Sequence, residues 1–307
     1  MPEPVRFVNR RTGKIEEEKI YGEKALRWTY ETGLGRVALR LLVSRRFFSL
    51  WYGHRMSRPA SRKLVLPFIR DYGLDPAEFA ESPDHFATFN EFFYRKLKPS
   101  ARPVDGSETS VVFPADGRHF VIPRLGDETR VFAKGQRFDL RGLLGDAANE
   151  FTGGSLLVSR LCPVDYHRFH FPCAGIPGAF KSLDGPLFSV SPIALRENLS
   201  WLWENHRHLT MLESPRVGKV AIIEIGATCV GSIRQTYQPG AAVAKGDEKG
   251  YFAFGGSCVI TIFQPGRVRF DSDLVSASAE GLETHAFMGE HLGEADETES
   301  SQPVAGG

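Results

Sequence analysis

The hydrophobic positions of the first hundred residues recur with helical spacing. One apolar stripe is formed by Leu34, Val37, Ala38, Leu41 and Leu42, with arginines on the opposite side. A basic and aromatic run, RRFFSLWY, follows at 45–52, and phenylalanines repeat again between 86 and 93. This pattern predicts helices over 20–70 and 75–100, and the first of these regions is amphipathic.

The pattern changes to short β-prone runs from about residue 106 to residue 270. These runs are separated by glycine and proline, as at 155–158 (SLLV), 220–225 (VAIIEI) and 259–263 (VITIF). One helical interruption is expected near 193–206, where Pro192 can start it. We therefore predict an α+β fold, with a β-rich core of packed sheets or a partial barrel and an N-terminal amphipathic helical region.

The same changes divide the chain into three predicted parts. Residues 1–105 form a helical, basic region, and residues 106–292 form the β-rich core. Residues 293–307 are acidic and small, which is typical of a disordered tail. No run approaches the roughly 18 uninterrupted apolar residues expected of a membrane-spanning helix.

The charge of the N-terminal region is one-sided. Residues 24–70 carry eleven basic side chains and one acidic side chain, Glu31, a net charge of +10, whereas the whole chain carries +1. Arginines beside Trp, Tyr and Phe favour the interface of an anionic membrane. The alternative is a helix that packs on the protein's own core and has solvated arginines.

Cysteine usage bears on the compartment. The four cysteines form no CxxC pair, and the first twenty residues contain Glu16, Glu17 and Glu18 but no apolar core. Neither a disulfide framework nor a secretory or transit signal is indicated. We expect a reducing, cytoplasmic compartment.

The candidate chemistry begins at a Gly-Ser step, FGGS at 254–257. Glycines allow backbone geometry in which the Ser257 hydroxyl could attack the carbonyl of Gly256. Such an attack would convert the amide to an ester, from which a pyruvoyl group can form. The alternative is an ordinary hairpin turn.

Two further segments supply the partners that such a serine needs. Asp116 lies in a PADG turn at 114–117, and His167 and His170 lie in DYHRFHFP at 165–172. A serine hydroxyl is a poor nucleophile unless an imidazole accepts its proton and a carboxylate orients that imidazole. Asp116, His170 and Ser257 supply these three types.

A zinc site is a competing interpretation of the same segment. Cys162, His167, His170 and Cys173 have the ligand types of a tetrahedral site, but all four fall within twelve residues that include two prolines. We therefore predict no metal. The sequence also contains no GxSxG, Walker A, GxGxxG or HExxH motif.

From about Tyr30 to Gly293 the chain resembles the phosphatidylserine decarboxylase family. The resemblance rests on FNEFFYRKLK at 89–98 with Arg102-Pro103, on PADG, on DYHRFHFP and on FGGS, which is similar to the GGS variant of the family. Lys245-Gly246 with Glu248, Gly250 and Phe252, and MGE at 288–290, also match. The order and spacing of these motifs make the resemblance specific.

The resemblance implies a role for each matching residue. Asp116 and His170 would orient and deprotonate Ser257 for self-cleavage between Gly256 and Ser257. The β chain (1–256) and the α chain (257–307) would remain associated and could assemble further. A pyruvoyl cofactor at position 257 would form a Schiff base with phosphatidylserine, which would lose carbon dioxide to give phosphatidylethanolamine. His167 would assist decarboxylation or reprotonation.

The same resemblance implies a peripheral enzyme on the cytoplasmic face of the cell membrane, with an anionic lipid surface rather than nucleic acid as its partner. Three alternatives remain open at this point: another phosphoserine-headed lipid, a soluble amino acid, or an unprocessed membrane-binding module. One residue departs from the family pattern, since Cys258 stands where many members have threonine.

Overall fold

A computed structural model describes residues 4–20, 22–38, 46–126, 139–227, 232–253, 255 and 257–296. The strands are β1 (Arg6–Asn9), β2 (Lys14–Glu17), β3 (Ser110–Val112), β4 (Gly117–Ile122), β5 (Ser155–Leu161), β6 (Arg168–His170), β7 (Ile176–Pro177), β8 (Lys181–Leu183), β9 (Arg207–Ser214), β10 (Gly218–Ile225), β11 (Ile233–Gln235), β12 (Glu248–Phe252), β13 (Ser257–Phe263), β14 (Val268–Phe270), β15 (Glu283–Ala286) and β16 (His291–Ala295). The helices are α1 (Glu23–Glu31), α2 (Gly33–Ala38), α3 (Arg46–Met56), α4 (Val65–Tyr72), α5 (Phe89–Phe93), α6 (Leu140–Leu144), α7 (Pro192–Glu197), α8 (Trp201–Glu204) and α9 (Ser272–Ala279).

One large sheet organises the molecule. Its strand order is β2-β1-β15-β4-β5-β13-β10-β9-β7, and β8 also pairs with β9. All of these pairings are antiparallel except that of β1 with β15. Two smaller sheets, β11-β12-β6 and β14-β16-β3, accompany it. The predicted α+β fold with a β-rich core of packed sheets is confirmed.

The central strand β13 is buried on both faces. Val259 and Phe263 face one hydrophobic cluster, whereas Ile260 and Ile262 face another. Successive side chains of a strand point to opposite faces, so a strand covered on both sides reads as a continuous apolar run. The run at 259–263 is therefore apolar except for the buried Thr261, and it belongs to a fully buried strand whose first residue is Ser257.

The first twenty residues differ from the prediction of a helical N-terminal region. They form the hairpin β1–β2, and β1 adds to the main sheet beside β15. Asn9 and Lys14 close the pairing around a turn in which Gly13 has φ 67°. The hairpin is short and charged, and its apolar side chain Phe7 is buried only because β1 pairs with a distant strand. The local sequence pattern therefore does not predict this hairpin.

Helices α1 to α4 agree with the prediction of helices in 20–70. Leu34 of the predicted stripe is 79% exposed, and Leu41 and Leu42 lie outside the described residues. The prediction over 75–100 was wrong in extent, since α5 is its only α-helix in a segment that the structure covers throughout. Prolines at 76, 83 and 99 each start a short 3-10 turn, and the phenylalanines pack as one aromatic cluster.

Two other sequence predictions concern the helical interruption near 193–206 and the C-terminal tail. The interruption near 193–206 is confirmed as α7 and α8, and Pro192 is the first residue of α7. The predicted tail, however, begins inside a strand, because Gly293 and Ala295 pair with Phe270 and Val268 of β14. Residues 297–307 lie outside the described residues. No helix in the described part of the chain is long and apolar enough to cross a bilayer.

Candidate active site

Ser257 is the first residue of β13 and its side chain is fully buried. Its partner across the sheet is Leu161, the last residue of β5. Gly255 has φ 135°, a conformation that favours glycine. Phe254 and Gly256 lie outside the described residues. Of the two residues at the predicted cleavage site, the structure therefore describes Ser257.

The histidine that contacts Ser257 is His167. Its Nδ1 lies 3.3 Å from Oγ of Ser257, and its Nε2 lies 2.9 Å from the backbone oxygen of Cys162. A carbonyl oxygen can only accept a hydrogen bond, so Nε2 carries the ring proton of a neutral imidazole. Nδ1 is then an acceptor that faces the serine hydroxyl.

The surroundings of His167 keep its ring neutral and fixed. Phe93 stacks on the ring at a centroid distance of 3.8 Å and an interplanar angle of 22°. Burial lowers the pKa of His167 to about 3, although the nearby Asp165 carboxylate acts in the opposite direction. At neutral pH the imidazole is therefore neutral and Nδ1 carries no proton, while burial also makes the ring a weaker base.

Asp165 shapes the turn that presents the Cys162 carbonyl. Its Oδ2 accepts a hydrogen bond of 2.6 Å from the Cys162 backbone N–H, and its own N–H donates to the Cys162 oxygen at 2.9 Å. Arg118 donates to both carboxylate oxygens, at 3.1 and 2.9 Å. Burial alone would raise the pKa of Asp165, but Arg118 lowers it below the usual value. Sequence reasoning did not single out Asp165, although an acid that closes a proline-containing turn was a usable signal.

The hydrogen bond of Ser257 goes to His167, whereas the resemblance implied His170 as the base for that serine. The buried Nδ1 of His170 has no hydrogen-bond partner among the described residues, and its ring lies 5.7 Å from that of Tyr166. Burial lowers the pKa of His170 to about 4. His170 is the last residue of β6 and His167 lies just before that strand, so the two rings have different neighbours, Phe93 for His167 and Tyr166 for His170.

Asp116 likewise does not orient the histidine beside Ser257. Arg102 donates to its two oxygens at 2.9 and 2.8 Å, and the Met288 backbone N–H donates at 2.9 Å. Burial raises the pKa of Asp116 to about 6 against the opposing effect of Arg102. Arg102 and Met288 line a cavity of about 380 Å³ together with His170, so Asp116 belongs to the surroundings of that second histidine.

The four residues of the zinc alternative do not form a metal site. No group of three or more metal-ligating side chains occurs in the part of the chain that the structure describes. The Cys162 thiol instead contacts Arg160 and Glu18, at 3.2 and 3.3 Å.

The structure places Cys258 on the face of the sheet opposite to Ser257. It packs in the cluster that contains Ile260 and Ile262, whereas Ser257 alternates with it along β13. Burial raises the pKa of the Cys258 thiol. The thiol is therefore a packed, protonated group rather than a second nucleophile beside the serine.

Comparison with known proteins gives a consistent family. A model of the phosphatidylserine decarboxylase family matches residues 89–294. The phosphatidylserine decarboxylase proenzyme of Chlamydia muridarum is 45% identical over 289 residues, 94% of this chain and 96% of that protein. The proenzyme of the same name from Fusobacterium nucleatum is 39% identical over 293 residues, 95% of this chain and 98% of that protein. By sequence and by the motifs at its buried serine, this chain belongs to the phosphatidylserine decarboxylase family.

Proposed function

We propose that this protein is a carboxy-lyase that converts phosphatidylserine to phosphatidylethanolamine and carbon dioxide after cleaving itself between Gly256 and Ser257. The proposal is supported by membership of the family and by one geometric observation. The acceptor nitrogen of a neutral, buried His167 lies 3.3 Å from the Ser257 hydroxyl. This is the arrangement that makes a serine oxygen nucleophilic.

Self-cleavage needs a base at Ser257 and no external reagent except water. His167 Nδ1 takes the hydroxyl proton while Oγ attacks the carbonyl carbon of residue 256, so an ester replaces the peptide bond. Loss of the Cα proton of residue 257 then breaks the ester, and residue 256 leaves as a carboxylate. Water converts the remaining dehydroalanyl group to a pyruvoyl group and releases ammonia. The products are the β chain (1–256) and the α chain (257–307).

The residues around Ser257 fit a pyruvoyl group. A serine and a pyruvoyl group have the same three-carbon skeleton, and the buried Ser257 side chain hydrogen-bonds to the neutral ring of His167. The group would supply a carbonyl that accepts electrons as carbon dioxide leaves. His167 remains beside this position, where an imidazole can hold or return a proton.

We further propose that the enzyme is peripheral on the cytoplasmic face of the cell membrane. Among the described residues, Trp28, Trp51, Leu64 and Leu66 are exposed to 50%, 49%, 39% and 58%. Exposed cations lie in the same segment, namely Arg55, Arg58, Arg62, Lys63 and Arg70. Large apolar side chains beside cations favour an anionic lipid surface.

A lipid assay tests both parts of the proposal. We expect the purified protein to release carbon dioxide from vesicles that contain phosphatidylserine, and the variant Ser257→Ala to release none. Replacing Leu66 by Asp together with Arg62 and Lys63 by Glu should weaken co-sedimentation with these vesicles while self-cleavage continues. Undiminished turnover of a soluble amino acid with no turnover of the lipid would contradict the substrate proposal.

A further inference from the structure

The N-terminal hairpin ends in a buried carboxylate, Glu18. Its side chain is 4% exposed, whereas the preceding acid, Glu17, is exposed. Arg160 donates to both oxygens of Glu18, at 3.2 and 2.5 Å. Nε of Arg118 lies 3.5 Å from the same carboxylate. One acid of the run EEE at 16–18 thus enters the core and meets two cations.

The charge of Glu18 is maintained inside the protein. Burial on its own would raise the pKa of Glu18, but Arg160, and after it Arg118, lower this pKa to about 2. Removing one partner of a buried ion pair leaves an uncompensated charge and is strongly unfavourable. Glu18 therefore fixes where the two guanidinium groups lie.

Both of these arginines are also connected to residues that hold the active site in place. Arg118 holds Asp165, which closes the turn that presents the Cys162 carbonyl to His167. Arg160 is the cross-strand partner of Cys258, the residue after Ser257. The carboxylate of Glu283 in β15 anchors Arg160 on its other side at 2.6 Å. A displacement of either arginine would move a group that contacts His167 or Ser257.

A second side chain of the hairpin supports the same cation. The Arg118 guanidinium lies 4.9 Å from the ring centroid of Phe7, and Phe7 is paired in register with Glu283. The hairpin thus contributes both an anion and an aromatic face to the two arginines. These contacts belong to residues 4–20, which precede the amphipathic helices.

We propose that Glu18 is a positioning residue for self-cleavage, which acts through Arg118 and Arg160 on the turn and the strand that hold His167 and Ser257. The inference rests on the proposed self-cleavage at Ser257. It makes the N-terminal hairpin part of the cleavage machinery, separate from the membrane-facing helices that follow it.

The test follows conversion of the full-length chain after a pulse of cell-free synthesis. Glu18→Gln keeps the shape and removes the charge, Glu18→Asp keeps the charge with a shorter reach, and Glu17→Gln is the matched control. Thermal unfolding of each variant is measured in the Ser257→Ala background, where every chain stays uncleaved. We expect Glu18→Gln to slow conversion by about 10- to 100-fold, the size of effect that small misplacements of reacting groups produce.

Glu18→Asp should recover part of the rate, and Glu17→Gln should cleave as fast as the unaltered chain. Wild-type conversion in Glu18→Gln, or equal slowing by Gln and Asp, would overturn the inference. If Glu18→Gln does not fold, Glu18→Asp decides the matter. Conversion slowed by about threefold or more supports the role, and the wild-type rate contradicts it. Absence of conversion in the unaltered chain would instead refute the proposed function.

Discussion

The two histidines of the segment 165–172, His167 and His170, have different neighbours. His167 lies between Phe93, the Cys162 carbonyl and Ser257, and both of its ring nitrogens have a polar neighbour. His170 lies beside Tyr166 at a cavity, and its Nδ1 has no partner among the described residues. The resemblance alone implied His170 as the base for Ser257, whereas the geometry favours His167.

The comparison extends to the two buried acids. Asp165 supports the His167 side through the Cys162 turn, and its pKa is lowered mainly by Arg118 against the effect of burial. Asp116 lies on the His170 side with Arg102, and burial raises its pKa to about 6. A motif can therefore identify a family correctly without showing which of its residues are in contact, because those contacts depend on the folded path of the chain.

The largest expected effect is a difference between the two histidine variants in the rate of self-cleavage. His167→Ala removes the acceptor for the Ser257 proton and should slow conversion by about 10³-fold, within the usual range for loss of a general base. His170→Ala should slow it by less than about tenfold, because the serine is hydrogen-bonded to the other histidine. Gel analysis of precursor and fragments over time measures both rates, and the reverse order would refute the assignment.

The next effect separates the two acids. Asp165→Asn weakens the hold of Arg118 on the Cys162 turn and should slow cleavage by about 10- to 100-fold through displacement of the imidazole. Asp116→Asn should have a smaller effect, since Asp116 acts on Arg102 and Met288 rather than on the serine. A pulse-chase comparison of the two variants checks this order. Equal slowing would contradict this order and would show that the residues around Asp116 and those around Asp165 act together on the serine.

The two histidines should contribute equally to the loss of unfolding free energy between roughly pH 6 and pH 4. Burial lowers the pKa of His167 to about 3 and that of His170 to about 4, below the ordinary value of 6.5. The unfolded chain therefore binds more protons as the pH falls below 6.5, so the stability held above that pH is progressively lost. Each histidine contributes a slope of about 1.4 kcal/mol per pH unit between roughly pH 4 and 6.

Denaturant unfolding of the Ser257→Ala precursor at several pH values measures this slope. His167→Asn and His170→Asn should each reduce it by the same amount, about 1.4 kcal/mol per pH unit. An unchanged slope for one variant would mean that this histidine is already protonated in the folded protein.

The smallest expected effect is at Cys258. Because this side chain faces the cluster opposite to Ser257, Cys258→Thr should leave the cleavage rate within about threefold of the original. The buried hydroxyl should cost about 1 to 3 kcal/mol of unfolding free energy unless it finds a partner. A cleavage rate changed by orders of magnitude would show that the thiol acts on the serine.

Local patterns predicted the parts of the fold that depend on local properties. Strand β13 and helix α7 were evident from an apolar run and from Pro192, because both signals lie within a few residues. The hairpin β1–β2 was missed because its burial depends on β15, more than 260 residues away in the chain. Contacts of that kind leave no periodicity in the sequence.

The candidate site divides in the same way. Ser257 and the two-histidine segment could be recognised from residue types and order, and the structure brings Ser257 to that segment. Which histidine faces the serine depends on the path of the chain between the Cys162 turn and β6. The contribution of Glu18 depends on an ion network between distant strands. These are properties of the three-dimensional arrangement.

Intact-mass measurement of the purified, active protein tests the central claim most directly. Self-cleavage at Ser257 predicts two fragments that divide between residues 256 and 257. The smaller fragment should lack a free amino terminus and carry a ketone that reacts with a hydrazine reagent. A single full-length chain in catalytically active protein would contradict the claim.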